Sequence, residues 1–473
     1  MTEAEQATVT QFPEDTPENP PGQVYRSAIS PGRMAWLVLL LAFGMFCVLT
    51  ITTGLAIYLY LFQSTEAIPA LLQVSQGTVG VTGSDFVETV QRERQGLTNT
   101  QTSISTDSLS QATIQFRDVP AFEGAPSRLL AAVALQSNTL ITFERASRPR
   151  FDWSLNQHRI SFSNLKGKLD VFVTGALNKP FLLSVGTAGG LSVQFLDDGR
   201  YRVSATDDEV RILNVVGRAS AYFADDMSSQ RTVPAGQELV VRLGNRTIEP
   251  RATIRNVLSG SLFSIQDYDQ SPFQDELVLP ANWGCLVEQD SDPRGRFSLE
   301  SFDGRLGLRL RRLDNATSHG EIRCTQPFGE DGIDVSDYDS IKVIVTFYVS
   351  SQSLSQCGIL GSECPLMLRL RYEDRLSVGR TWIRGFYFDK EVITDYPTLC
   401  STCIQEHEII NKQAWYTFES ENLLSVIGAN DHPESLSWIA LEASGHQFDT
   451  IISEILLLVD KANGNGAGAE GES

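Results

Sequence analysis

The chain has 473 residues, of which 42% are hydrophobic and 20% charged, and its formal net charge is -20. That length accommodates about two or three domains of roughly 100–200 residues each. So acidic a surface repels phosphate backbones, and there is no Lys/Arg-rich run, which excludes nucleic acid as an expected partner; the acidity otherwise keeps exposed domains soluble.

From the N-terminus, residues 1–33 contain Pro13, Pro17, Pro20, Pro21 and Pro31 and almost no large apolar side chains. Such a segment cannot build a core and is expected to be disordered. Met34 to Phe62 carries no charge. As a helix it rises about 43 Å against a hydrocarbon core of about 30 Å, so it spans with tilt or with its ends in the interface. Trp36 at one end and Tyr58 and Tyr60 at the other suit the two headgroup layers. The segment exceeds a signal-peptide core, so it is expected to be retained as a single-pass signal anchor in the lipid bilayer, with Cys47 as packing. Arg26 and Arg33 precede it, whereas Glu66 and only then Arg92 follow. The positive-inside rule places the N-terminus in the cytoplasm and the C-terminal ectodomain outside it.

From about Ala70 the chain becomes a series of short alternating runs broken by Gly, Asn, Asp and Pro. In IKVIVTFYV, Ile341, Val343, Val345, Phe347 and Val349 share one face of a strand; in LRLRY, Leu368, Leu370 and Tyr372 do so, with Arg369 and Arg371 opposite. Many strands and no long amphipathic helix predict a mostly all-β ectodomain. All six cysteines outside the membrane segment follow residue 280, and residues 258–276 are polar and turn-rich. This divides the ectodomain near residue 262 into parts at about 70–260 and 263–460, with 461–473 a flexible tail by composition.

Between residues 72 and 255 the order of signals resembles the FecR-type domain of bacterial cell envelopes. QVSQGTVGV resembles its opening strand, TSISTDSLSQATIQF the pair that follows, NTLITFERASRPRFDW and ISFSNLKGKLDVFV its later meander, and EVRILNVVGRASAYF with TVPAGQELVV its closing hairpin. The resemblance implies a β-solenoid-like or sandwich stack of short strands. Regulators of that type carry a cytoplasmic anti-sigma module, and here only 33 residues precede the helix, so binding or scaffolding is the expected carry-over. Residues 263–460 resemble a galactose-binding-like jelly roll of the carbohydrate-binding-module type. The resemblance rests on LVLPANWGCLVEQ, GRLGLRLRR, DVSDYDSIKVIVTFYV, PLMLRLRYED and the closing LSWIALEASGHQFDTIISEILLLVD. A sugar function does not follow from such a fold.

Among candidate sites, Cys285, Cys324, Cys357, Cys364, Cys400 and Cys403 form an even set in an extracytoplasmic domain, read as three disulfides out of 15 possible pairings. Cys285–Cys324 is the expected first pair; Cys357, Cys364, Cys400 and Cys403 close locally or cross-link their two loops. A four-cysteine zinc site is the rival reading for those last four. Trp283, Trp382, Tyr387 and Trp415 are candidates for a sugar-stacking platform, with core packing as the plainer alternative. Asp267, Asp269 and Asp460 could ligate a structural calcium where the ends of the jelly roll meet, as in similar modules; a solvated acidic surface is the alternative. No other cofactor is expected. The five histidines show no helical zinc spacing, and no Gly-x-Ser-x-Gly elbow occurs. The expected function is a non-enzymatic, membrane-tethered envelope protein that binds glycan or an envelope protein. A FecR-type transmembrane sensor and a glycan-active enzyme are the alternatives.

Overall fold

One helix, Pro31–Gln63, occupies the uncharged segment and overruns the expected 34–62 at both ends. Its side chains from Trp36 to Tyr60 are largely exposed, with no polar face to show water. Thr50 and Thr52 donate their hydroxyls to the carbonyls of Phe46 and Val48, both at 2.8 Å, so their polar atoms need no water. It is the one helix among the described residues long and apolar enough to cross a membrane. The computed structural model describes residues 31–461 except 98–100, 119–126, 152, 155, 175–179, 188, 252–253, 262, 264–281, 314, 389–395 and 429–430. The expected disordered start, the tail after 461 and most of the expected connection lie outside the described residues. The chain divides into two units, Met1–Phe62 and Gln63–Ser473.

The second unit is almost entirely β and contains two large hydrophobic cores and a small third cluster of Cys357, Cys364, Met367 and Tyr387. Strands from Thr65–Ala67 to Thr247–Arg251 close on themselves around the first core. Alternation decides the faces: Phe181–Thr187, Leu191–Phe195 and Gly199–Ala205 each bury every second residue. The long strand His158–Val173 joins the two sheets of this body. Its first half pairs with Leu140–Pro149 and Phe181–Thr187, its second with Leu129–Leu135 and Gly199–Ala205. The change of partners falls at Gly167, where φ is +109° and a Cβ would lie 2.6 Å from Asn138 O and Thr139 Cα. Gly167→Ala must therefore both strain the backbone and displace the facing loop. Chemical denaturation should show a loss of about 2–3 kcal/mol; a loss within experimental error would mean the crossover does not depend on this glycine.

The second body is a sandwich of two sheets, antiparallel except where Gly379–Tyr387 pairs in parallel with Glu408–Ile409. One runs Arg296–Phe302, Arg305–Arg312, Phe448–Asp460, Ser340–Gln352, Trp415–Glu419. The other is built on Gly284–Gln289, Gly320–Pro327, Pro433–Gly445, Leu366–Asp374 and Gly379–Tyr387. Ile341, Val343, Val345, Phe347 and Val349 are fully buried between the sheets, as their spacing predicts, and meet Leu368, Leu370 and Tyr372 in the same core. The chain enters this body at Ile254–Asn256, which pairs with the end of Phe448–Asp460. Leu258 and Phe263 already belong to its core.

Candidate functional site: a charged cleft between two β bodies

The same alternation that sends Val343, Val345 and Phe347 inward turns Lys342, Ile344 and Thr346 outward. On the neighbouring edge strand Tyr416 and Phe418 enter the core, so Trp415, Thr417 and Glu419 face out. This outward face is covered by the first body, from which Lys168, Asp170 and Phe172 project opposite to the core residues Leu169, Val171 and Val173.

The seam is polar. Glu419 binds Lys168 at 3.0 Å and Lys342 at 2.8 Å. Glu454 binds Arg202 at 3.2 Å and Arg200 at 3.7 Å, and Arg202 reaches Asp170 at 2.5 Å. Arg305 lies over Trp415 at 4.6 Å and Phe172 at 5.0 Å. Ser75 donates to Trp415 O at 2.7 Å, Gln76 to Ile409 O at 2.9 Å, and Asn411 to Val74 O at 3.0 Å. Burial raises the Glu419 pKa, but the two lysines outweigh it and hold the carboxyl at about 2. Burial pushes Asp170 up against the pull of Arg202. Burial, with Arg200 nearby, brings Arg305 down to about 9.

Beyond the tight seam the surfaces part into a cleft. One lobe, of about 560 Å³, runs past Lys168, Arg202, Ser204, Lys342 and Glu419. An adjoining lobe of about 800 Å³ adds Asn138, Arg384, Glu408, Tyr416 and Asn422. These volumes suit an oligomeric ligand, and hydroxyl, amide and charged side chains stand among apolar surface along the walls. Three of its carboxylates are engaged: Glu419 by two lysines, Asp170 by Arg202, and Glu408 by Arg384 at 2.9 Å and by the Tyr416 hydroxyl; burial instead pushes the pKa of Glu238, in the first lobe, up.

The expected aromatic platform is corrected by burial. Trp283 is 4% exposed, Trp382 0%, Tyr387 6% and Trp415 2%, so no ring face is open to a ligand. Trp283 sits beside Phe263, and Trp382 donates to Gln405 at 3.3 Å. Trp415 does lie on an outward sheet face, but the first body covers it and its indole donates to Asp303 at 3.0 Å. Sequence reading passed over Trp438, which is half-buried on the outward face of the other sheet, beside Arg371 in the register. The alternation of Trp438, Ala440 and Glu442 with Ile439, Leu441 and Ala443 carries that signal. Asp460 binds Arg251 at 2.6 Å, so an arginine already neutralises it; Asp267 and Asp269 lie outside the described residues.

The cysteines pair as Cys285–Cys324, Cys357–Cys364 and Cys400–Cys403, leaving Cys47 free. The second and third bridges both approach His407. That imidazole is fully engaged: Nδ1 accepts from Gly385 N at 3.0 Å, so Nε2 carries the proton given to Gly361 O at 2.6 Å. Burial lowers its pKa and keeps it neutral. With its sulfurs oxidised and its ring lone pair occupied, this cluster does not offer the donor set of a zinc site.

No family model matches the chain, and no curated protein does. Among solved structures, a putative anti-sigma factor from Parabacteroides distasonis aligns at 15% identity and a TM-score of 0.21, over 32% of this chain and 58% of its own. A family 11 carbohydrate-binding module from Clostridium thermocellum aligns at 12% identity and 0.23, over 40% and 95%. A xylan-binding domain from Paenibacillus barcinonensis aligns at 11% and 0.22, over 38% and 88%. These likenesses are too slight to assign a function.

Proposed function

We propose that this is a non-enzymatic, membrane-tethered cell-envelope protein whose ectodomain binds a hydroxyl-rich polymer, a glycan, in the cleft between its two β bodies. The observation that carries the reading is the cleft: two adjoining lobes of about 560 and 800 Å³ in which hydroxyl, amide and charged side chains stand among apolar surface. A glycan presents many hydroxyls and few charges, so it gains from donors and acceptors already held in place. Carboxylates held by Lys or Arg, such as Glu419, are fixed acceptors that orient hydroxyls.

The test is calorimetry of the full chain in detergent against cell-wall and plant oligosaccharides first selected on a glycan array. Ser204→Tyr fills the wall shared by both lobes and should weaken binding by about tenfold or more without altering thermal stability. Trp438→Ala, on the opposite sheet face, should leave binding unchanged. Loss with Trp438→Ala and retention with Ser204→Tyr would move the site to the other sheet. Failure of the unaltered protein to bind any glycan would remove the glycan reading.

A further inference from the structure

The strand that follows the apolar helix, Thr65–Ala67, pairs antiparallel with Ser147–Pro149. The loop beyond Pro149 is fastened to the same place. Arg150 N donates to Ser64 O at 3.1 Å, and Asn156 Nδ2 donates to Gln63 O at 2.8 Å. This loop is thus held to the chain at the last helical residue and the one after it, where the chain leaves the apolar helix.

Two independent features of the loop suit that location. Trp153 is 60% exposed and stacks on Phe151 with ring centroids 5.0 Å apart and planes 11° from parallel. A stacked aromatic pair exposed to water is unfavourable, whereas indole rings concentrate at the headgroup level of membranes. The second feature is charge. In a chain of net charge -20, Arg145, Arg148, Arg150 and Arg159 gather on and beside this strand pair. Arg148 is neutralised by Glu66 and by Asp118 at 2.6 Å. Arg145, Arg150 and Arg159 are exposed, and Arg145 reaches Thr65 Oγ1 at 3.1 Å. Glu66, Asp118 and Glu144 lie on or beside the same strands, so this is not a net basic patch; the exposed Arg145 and Arg159 are individual donors that can reach headgroup phosphates.

We propose that Trp153, with Arg145 and Arg159, forms a lipid-contacting site that seats the ectodomain on the bilayer, the indole at the glycerol level and the guanidiniums on headgroup phosphates. This rests on the reading of the helix as a membrane anchor and adds to it a second, superficial attachment that would hold the ectodomain against swinging freely on its tether.

The experiment uses the full chain, labelled with 5-fluorotryptophan and placed in nanodiscs containing anionic lipid, with fluorine resonances assigned by single Trp→Phe changes. A lipid carrying a nitroxide near the glycerol should reduce the Trp153 peak by roughly threefold, comparably to Trp36 in the helix, and leave buried Trp382 unaffected. Arg145→Glu with Arg159→Glu should restore the Trp153 peak while Trp36 stays attenuated. The unmoved Trp382 resonance certifies folding. Attenuation of Trp36 with no effect on Trp153 overturns the proposal and leaves the anchor intact. Absence of both overturns the anchor and the proposal together.

Discussion

Glu454→Ala is expected to lower the stability of the β-rich unit by about 3–5 kcal/mol, because it strips the counter-charge from arginines that have little water to turn to. Glu454 is 4% exposed; its carboxylate meets Arg202, Arg200 and the Thr346 hydroxyl at 3.2, 3.7 and 3.3 Å. Remove it and Arg200, Arg202 and Arg305 share the buried seam chiefly with Asp170. Breaking a buried pair costs more than never having had one, since an uncompensated charge stays behind. Thermal unfolding of the full chain in detergent should show a fall of roughly 5–10 °C. Glu454→Gln, which retains an acceptor for Arg202 but not the charge, should fall between. A shift of less than about 1 kcal/mol for the alanine variant would mean that the seam is hydrated and that the two bodies are not joined through this cluster.

The same residue shows what could and could not be read from the chain. Strands with one solvated face announce themselves by alternation, and Ser340–Gln352 and Leu366–Asp374 lie where period two places them. Alternation does not say what the polar face meets. Trp415, Thr417 and Glu419 alternate with Tyr416 and Phe418 as they would beside solvent or beside another protein surface. The fate of that face depends on contacts more than 200 residues apart, such as Lys168 with Glu419. One signal was present. FDTIISEILLLVD, Phe448–Asp460, contains the unbroken apolar run ILLLV, and its residues are buried on both faces almost throughout. A strand covered on both sides implies something packed on each, and an acid at Glu454 within it implies a buried cation. The aromatic platform failed for the related reason that large rings in alternating strands are as readily core as surface. The helix was legible because its test, an uncharged run long enough for a bilayer, involves no distant contact.

Replacing Cys285 and Cys324 together with alanine is expected to cost about 4 kcal/mol, the most of the three bridges. The order follows from the chain each bridge closes: sequence separations are 39 for Cys285–Cys324, 7 for Cys357–Cys364 and 3 for Cys400–Cys403. A cross-link stabilises by restricting the unfolded chain, and the restriction grows with the logarithm of the loop. The two short bridges are therefore worth about 2.5 and 2 kcal/mol. Position reinforces the order. Cys285 and Cys324 are directly opposite in register on strands Gly284–Gln289 and Gly320–Pro327, so the bridge fastens Gly284–Gln289, the end strand of its sheet, to the fully buried Cys324. Cys357–Cys364 and Cys400–Cys403 instead cap the outward face over Gly385, where a Cβ would collide with Cys364 Sγ. Losing them should loosen that cap more than the sandwich beneath. Equilibrium unfolding in urea of the three paired alanine variants, read as midpoint shifts at constant m-value, measures the series. Peptide mapping without reductant should find Cys47 as the free thiol. A reversed order, with a short bridge dominating, would show that unfolded-state entropy does not govern these cross-links. Four free thiols at Cys357, Cys364, Cys400 and Cys403 with one equivalent of zinc would replace the two capping disulfides by a metal centre.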